Sequence, residues 1–368
     1  MPIERFSARN FRCLGAVEFE PDPRFNLIYG RNAAGKTSLL EALGFLGRGK
    51  SFRGATGREL VRHGEDEFLL HGRVRDSGRV LQLGVRCAGS ELETRLDGEA
   101  VGAAGLATAL PLQVVDPDVH ELVAGSPEKR RRYLDWLAFH VEPGYLERWR
   151  RFRRVLKQRN AALRAGAGRA AIGSWNTEFV KAALAVDAAR QAALAAVLPA
   201  LEKTGAALLG EGLGYAYRPG WGGDRDLAEQ LEESLGRDQQ QGSTQAGPQR
   251  ADLKLLYDEH QAKRRVSRGQ QKLLACAMVL AASETVQTRL GRPLLLLLDD
   301  PGAELDAEAL RRLMERVSAL GCQVIATSIE PNTAIFDASA AVFHVERGTL
   351  EARPGQRAPT AAKSPIIP

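Results

Sequence analysis

Several absences narrow the reading before any motif does. The four cysteines (Cys13, Cys87, Cys276, Cys322) stand far apart and form no CxxC pair. That excludes a zinc hook and a disulfide framework and matches a reducing compartment. The longest purely aliphatic run, Leu294 to Leu298, is five residues, far short of the ~20 that cross a bilayer. The opening MPIERFSARNF carries charge early and lacks the apolar stretch of a secretory signal, so a cytoplasmic protein without a membrane role is expected. No heptad pattern is sustained, which excludes a long coiled coil. Neither a zinc-finger nor a recognition-helix pattern occurs, so any nucleic-acid contact would read backbone and shape, not sequence.

What is present describes a globular protein of more than one core. The chain has 368 residues, 44% hydrophobic and 26% charged, and single cores stop growing near 250–300 residues, about this length. The net charge of +6 is unevenly spread. Between Pro127 and Arg164 twelve Lys/Arg face four acids, an excess of eight that exceeds the whole chain's. The positive charge is therefore a patch, suited to a polyanion. A solvated helix face is the plainer account of part of it.

The chain changes character along its length. Ile3 to Ala8, Ala16 to Phe19 and Phe25 to Tyr29 read as strands, Thr37 to Leu46 as an apolar-faced helix, and Glu67 to Glu93 as an antiparallel meander. From 121 to 244 strand signals are scarce. Tyr145 to Arg164 and Glu178 to Leu209 read as helices, the second with a kink at Pro199. Arg237 to Gln249, rich in Gln, Gly and Ser, reads as a loop or flexible join. The expected organisation is an α/β head from residues 1–120 and 245–350, an inserted helical lobe at 121–244, and a disordered Pro/Ala-rich tail at 353–368.

Three motifs carry the chemistry. Gly30-Arg31-Asn32-Ala33-Ala34-Gly35-Lys36-Thr37, followed by Ser38, matches G-x-x-x-x-G-K-[ST] between a strand and a helix. The glycines let successive N–H groups aim at phosphate oxygens, Lys36 supplies charge for the β/γ-phosphates, and Thr37 offers a hydroxyl to Mg²⁺. Leu294 to Leu298 is a buried parallel strand, and Asp299-Asp300 follows it at the ligand edge of the sheet. Asp299 is expected at the metal and Asp300 as the general base for water. Ser267-Arg268-Gly269-Gln270 opens an apolar helix, where Ser267, Gly269 and Gln270 could meet a phosphate. Alone, that pattern is usually just a helix cap.

In this order the motifs resemble the ABC-type ATPase superfamily, in which S-x-G-Q closes on the nucleotide of the opposing subunit. That resemblance implies a Q-loop role for Gln113, at the metal and in catalysis, and a D-loop at Ala303 to Asp306. The segment Val324 to Ile329 departs from the pattern by holding Thr and Ser but no histidine, which leaves hydrolysis leaning on Asp300. The short, arginine-rich insertion further resembles the RecF family of bacterial recombinational-repair proteins. The matching stretches include Asn10-Phe11-Arg12, Gly49-Lys50-Ser51-Phe52-Arg53, Arg131-Arg132-Tyr133-Leu134-Asp135-Trp136 and Thr244 to Leu253, with Gln249 where histidine is expected. The resemblance implies an ATP- and Mg²⁺-dependent homodimer and weak DNA-stimulated ATPase activity. It also implies binding of double-stranded DNA at single/double-strand gap junctions, and work with RecR and RecO in loading RecA. A transporter ATPase subunit or a P-loop kinase would share the phosphate loop, but the kinase leaves Ser267 to Gln270 without a purpose.

Overall fold

The computed structural model describes residues 3–76, 78–210, 213–222, 226–258, 260–331 and 340–353. The expected tail, apart from Arg353, lies outside them. Contacts divide the chain into two compact units, Met1–Asp118 with Gly291–Pro368, and Val119–Leu290.

The first unit contains two six-stranded sheets. One is antiparallel, in the order Leu14–Phe19, Ile3–Phe11, Glu67–Asp76, Arg79–Ala88, Glu91–Leu96, Glu99–Ala100. Its inward residues alternate with solvated ones, as in Phe68, Leu70 and Val74 against Leu69, His71 and Arg73. The other sheet is mostly parallel, in the order Thr349–Ala352, Ala341–Glu346, Phe25–Tyr29, Gln323–Ser328, Leu295–Leu298, Leu112–Val115. Its Leu295–Leu298 strand is buried throughout, with Leu298 opposite Val115 on one side and Ala326 on the other. The helix Lys36–Arg48 joins one apolar core with residues of both sheets, through Leu39, Leu40, Leu43 and Leu46.

The second unit is mainly helical. The helix Pro127–Val141 begins with proline, whose missing N–H costs nothing there. The helices Tyr145–Arg164 and Arg268–Leu290 pack on Arg169–Leu209, a 41-residue helix that continues through Pro199 instead of ending there. That helix is long and apolar enough to span a membrane by composition. It nevertheless buries Ala182, Ala183, Val186, Ala193 and Val197 against its neighbours, together with the polar Asp187 and Arg190. It is a core helix of the unit. A small antiparallel sheet, Leu213–Arg218, Asp252–Tyr257 and His260–Gln261, completes the unit.

Two expectations change. Residues 245–290 belong with the helices, because Arg268–Leu290 buries Leu273 to Ser283 within this unit. Arg237 to Gln249 is not a loose join: it contains the end of the helix Leu235–Gln241, and Asp238 and Thr244 are buried. The fully buried Arg159 donates to Asp238 Oδ2 (2.8 Å), Thr244 Oγ1 (2.7 Å) and Asn176 Oδ1 (3.0 Å). These bonds offset much of the cost of burying the ion pair. Arg159 Nη2 has no hydrogen-bond partner among the described residues, and the guanidinium lies over the Phe179 ring at 5.8 Å.

Candidate nucleotide site

The turn from Tyr29 into the helix Lys36–Arg48 is shaped by its glycines. Gly35 has φ +116, and Ala33 also adopts a left-handed backbone, at φ +63, a conformation glycine accepts without steric cost. A side chain at Gly30 would meet the carbonyl oxygen of Val345 at 2.3 Å. The loop is braced from a second side: Gly348, in the turn of the hairpin Ala341–Ala352, donates its N–H to the carbonyl of Ala34 at 2.9 Å. Arg31, Asn32 and Ala33 remain exposed, Ala34 and Gly35 buried, and Ser38 half-buried with its hydroxyl 3.4 Å from Cys13 Sγ.

Lys36 Nζ donates to the carbonyls of Gly30 (2.6 Å) and Arg31 (3.0 Å), lying over the loop it would share with a phosphate. Burial lowers its pKa, and the nearby Asp300 and Asp299 oppose that shift. The next residue, Thr37, donates to Asp299, with Oγ1 3.1 and 2.8 Å from the two carboxylate oxygens. The Thr37 hydroxyl and the Asp299 carboxylate therefore converge as hard oxygen donors. They suit Mg²⁺, which takes one or two protein oxygens and completes its shell with phosphate and water.

A further hydroxyl ties the acidic pair together. Thr327, fully buried, donates to Asp299 Oδ1 at 2.7 Å and accepts the N–H of Asp300 at 2.9 Å. Asp300 has φ +48, a strained conformation for a non-glycine residue. Thr327 occupies the segment where the superfamily's histidine is absent. No motif announces it. The parallel register that sets Leu298 beside Ala326 brings the two following residues into reach.

Gln113 is elsewhere. It pairs with Leu296, well before the strand's carboxyl end, and its side-chain oxygen accepts from Arg48 at 3.2 Å at the far end of the helix Lys36–Arg48. Arg48 is half-buried, and desolvation of its guanidinium pulls its pKa down to about 10. Gln113 thus ties the helix to the strand, and among the described residues no hydrogen bond joins it to Thr37, Asp299 or Asp300, with which it was expected at the metal. The edge position on that strand belongs to Asp116, which follows Val115, the residue whose carbonyl accepts the N–H of Asp299 at 2.8 Å.

The sequence reading also missed Glu41, a fully buried carboxylate on the phosphate-loop helix. Arg12 grips it with two 3.0 Å hydrogen bonds and Ser51 Oγ adds one at 2.5 Å. The stretches Asn10 to Arg12 and Gly49 to Arg53 therefore meet on the back of this helix. A charged residue among Leu39, Leu40 and Leu43 was the available signal.

In the second unit, Ser267 and Gln270 cap one another: Ser267 N donates to Gln270 Oε1 (2.9 Å), and Gln270 N to Ser267 Oγ (3.3 Å). This reciprocal pair is a capping box. Ser267, Arg268 and Gln270 are exposed and Gly269 half-buried. The plain cap reading is correct as far as it goes, and it leaves a helix N-terminus presented to solvent. Asp306 likewise caps its own helix, accepting from Ala309 N at 2.7 Å, just beyond Glu304 at φ +66.

A phosphate loop beside an acidic strand end, with a split sheet and a helical insertion, defines the class: a P-loop ATPase head of the ABC/SMC type. Residues 2–351 match the family described as RecF/RecN/SMC N terminal domain, and the chain belongs to it, as a member of its RecF branch. The chain is 43% identical over 359 residues to the DNA replication and repair protein RecF of Chromohalobacter salexigens, covering 95% of this chain and 99% of that one. It is 41% identical over 360 residues to the protein of that name from Pseudomonas fluorescens, with 95% and 98% covered. Among solved structures it superposes on the recombination mediator protein RecF-ATP of the RecFOR pathway with TM-score 0.86 at 24% identity, covering 95% and 97%. An Smc head bound to the C-winged helix domain of ScpA matches less closely, with TM-score 0.57 at 16% identity, covering 96% and 97%. These structural likenesses bear on the fold.

Proposed function

We propose that this DNA replication and repair protein is an ATP-gated clamp on double-stranded DNA. It would dimerise when ATP is bound, hydrolyse it slowly with stimulation by DNA, and act with RecR and RecO in loading RecA at gaps. The observation that carries the nucleotide part is the chain of hydrogen bonds from Thr37 through Asp299 and Thr327 to the backbone of Asp300, next to Lys36 lying over the loop carbonyls. In this reading the loop amides and Lys36 hold the β- and γ-phosphates, and Thr37 and Asp299 hold Mg²⁺. When bound, that ion neutralises phosphate charge and orients the transferred group. Asp300 accepts the proton of the attacking water. Ser267, Gly269 and Gln270 of a second copy close over the γ-phosphate, where an exposed helix N-terminus offers N–H donors and the positive dipole end.

Residues 1–118 and 291–353 would then form the nucleotide-gripping part of the head, and 119–290 would carry the signature and the DNA-facing lobe. A cytoplasmic location belongs to the same reading. The transporter alternative loses its footing, since relatives aligned over 95% of the chain are repair proteins. The test is light scattering combined with duplex binding in ATP, in ADP and without nucleotide. ATP alone should yield the dimer and tighten duplex binding; a monomer in all three states sinks the clamp.

A further inference from the structure

We propose that the solvent face of the helix Tyr145–Arg164 docks the phosphate backbone of double-stranded DNA through Arg150, Arg153, Arg154, Lys157 and Arg164. Of the seven remaining cations of the arginine-rich segment, six are paired within the fold and Arg148 lies off this face. This inference rests on the DNA-binding reading above and deepens it by naming the surface.

The structure sorts the twelve cations between Pro127 and Arg164. Arg130 is buried, bonded to both Asp252 oxygens (2.7 and 3.3 Å) and to the carbonyl of Gly125 (2.9 Å). Arg131 donates to the carbonyl of Ala251 at 2.8 Å, and Arg159 holds Asp238 and Thr244. With Arg190, which donates to the carbonyl of Pro248, these arginines fasten residues 244–252 to the helices. Lys129 pairs with Glu121, Arg132 with Glu128, and Arg151 with Glu178. The exposed Arg148, Arg150, Arg153, Arg154, Lys157 and Arg164 have no carboxylate partner among the described residues.

Five of these six form a stripe. At 3.6 residues per turn, Arg150, Arg153, Arg154, Lys157 and Arg164 fall within an arc of ~100°, opposite the buried Phe152, Val155, Leu156, Arg159 and Leu163. From Arg150 to Arg164 the helix rises about 21 Å, a length along which one strand of a duplex places about six phosphates. No Asp or Glu occurs between Arg148 and Arg164. The pairs Arg150/Arg154 and Arg153/Lys157 are four apart, and Arg150/Arg153 and Arg154/Lys157 three apart. Each of these like-charged pairs repels modestly. A helix needing only stability would intersperse acids there; a polyanion removes the repulsion in all four pairs at once. Arginine forks suit phosphate oxygens. The aromatic residue flanking the stripe, Trp149, is half-buried and engaged by Arg153 at 5.4 Å. The face therefore lacks the stacking platform that unpaired bases use.

The experiment measures binding of a fluorescent duplex to the full chain in ATP across a salt series. It compares wild type with the variant Arg150→Gln/Arg154→Gln/Lys157→Gln, and with a charge-matched control on the antiparallel sheet, Arg73→Gln/Arg75→Gln/Arg95→Gln. Removing three phosphate contacts should flatten the log–log salt slope by about 2.7, and cut affinity at least tenfold. Nucleotide affinity and thermal stability should stay unchanged, because the substitutions relieve repulsion on a solvated face. An equal loss in the control, or an unaltered slope in the stripe variant while wild type binds, overturns the surface assignment and leaves the clamp standing. A wild type that ignores duplex in ATP overturns both.

Discussion

In the proposed clamp, the carboxyl edge of the parallel sheet and the start of the helix Arg268–Leu290 would serve one chemistry from opposite conditions. At the sheet edge, Thr37, Asp299, Thr327 and the Asp300 backbone are joined by hydrogen bonds, and Lys36 donates to the carbonyls of Gly30 and Arg31, all within one unit. At the helix start, the side chains of Ser267 and Gln270 each accept the other's backbone N–H amid exposed backbone. The first is a gripping surface pre-organised before any ligand arrives, so little ordering entropy is lost on binding. The second is a donor set without a fixed acceptor, which suits a group that acts on another copy.

Substitutions can break or sharpen that contrast. Lys36→Ala should lower nucleotide affinity at least ~100-fold, as expected for losing a cation's hydrogen bonds to phosphate, about 1.5–3 kcal/mol each; calorimetry reads it, and near-normal binding would move the site elsewhere. Asp300→Asn should keep nucleotide binding, slow hydrolysis roughly 10²–10⁴-fold, and let the ATP-bound dimer accumulate. Dispersal of the dimer would make Asp300 architectural. Ser267→Ala should leave monomer affinity for ATP intact and abolish dimerisation in light scattering, at a capping cost near 1 kcal/mol, about the usual value. Thr327→Val, which keeps shape and loses both bonds, should reduce kcat about tenfold, equivalent to ~1.4 kcal/mol, with KM nearly unchanged. Thr327→Ser should restore it. Gln113→Ala should change the rate less than about twofold and cost about 1 kcal/mol of stability through its lost bond to Arg48. A collapse of Mg²⁺-dependent turnover would return Gln113 to the metal.

Local information explains what was legible in the sequence. Gly30 to Thr37 is continuous and bears its own turn, charge and helix start, and Leu294 to Asp300 carries both burial and carboxylates in seven letters. Tyr145 to Arg164 declared its helix by spacing and was found with those bounds. Thr327 was hidden because its role depends on the register between two strands that the helix Ala307–Ala319 separates in the chain. Gln113 misled because its strand was identified without knowing which end faces the ligand. The arginine-rich segment looked uniform for a similar reason: composition records charge, whereas burial of Arg130 and Arg159 depends on Asp252 and Asp238 arriving from far along the chain. The expected boundary at 244 fell early because the signature helix stays with the long helix that buries it.

The hairpin behind the phosphate loop has a consequence in time. The strand Phe25–Tyr29 is flanked by Gln323–Ser328 and Ala341–Glu346, and Gly348 supplies the bond to Ala34. A ribosome therefore makes the phosphate loop long before the strands and the turn that support it. Until that ribbon emerges, the nascent polypeptide has the loop without the strands that flank it and the bond that braces it.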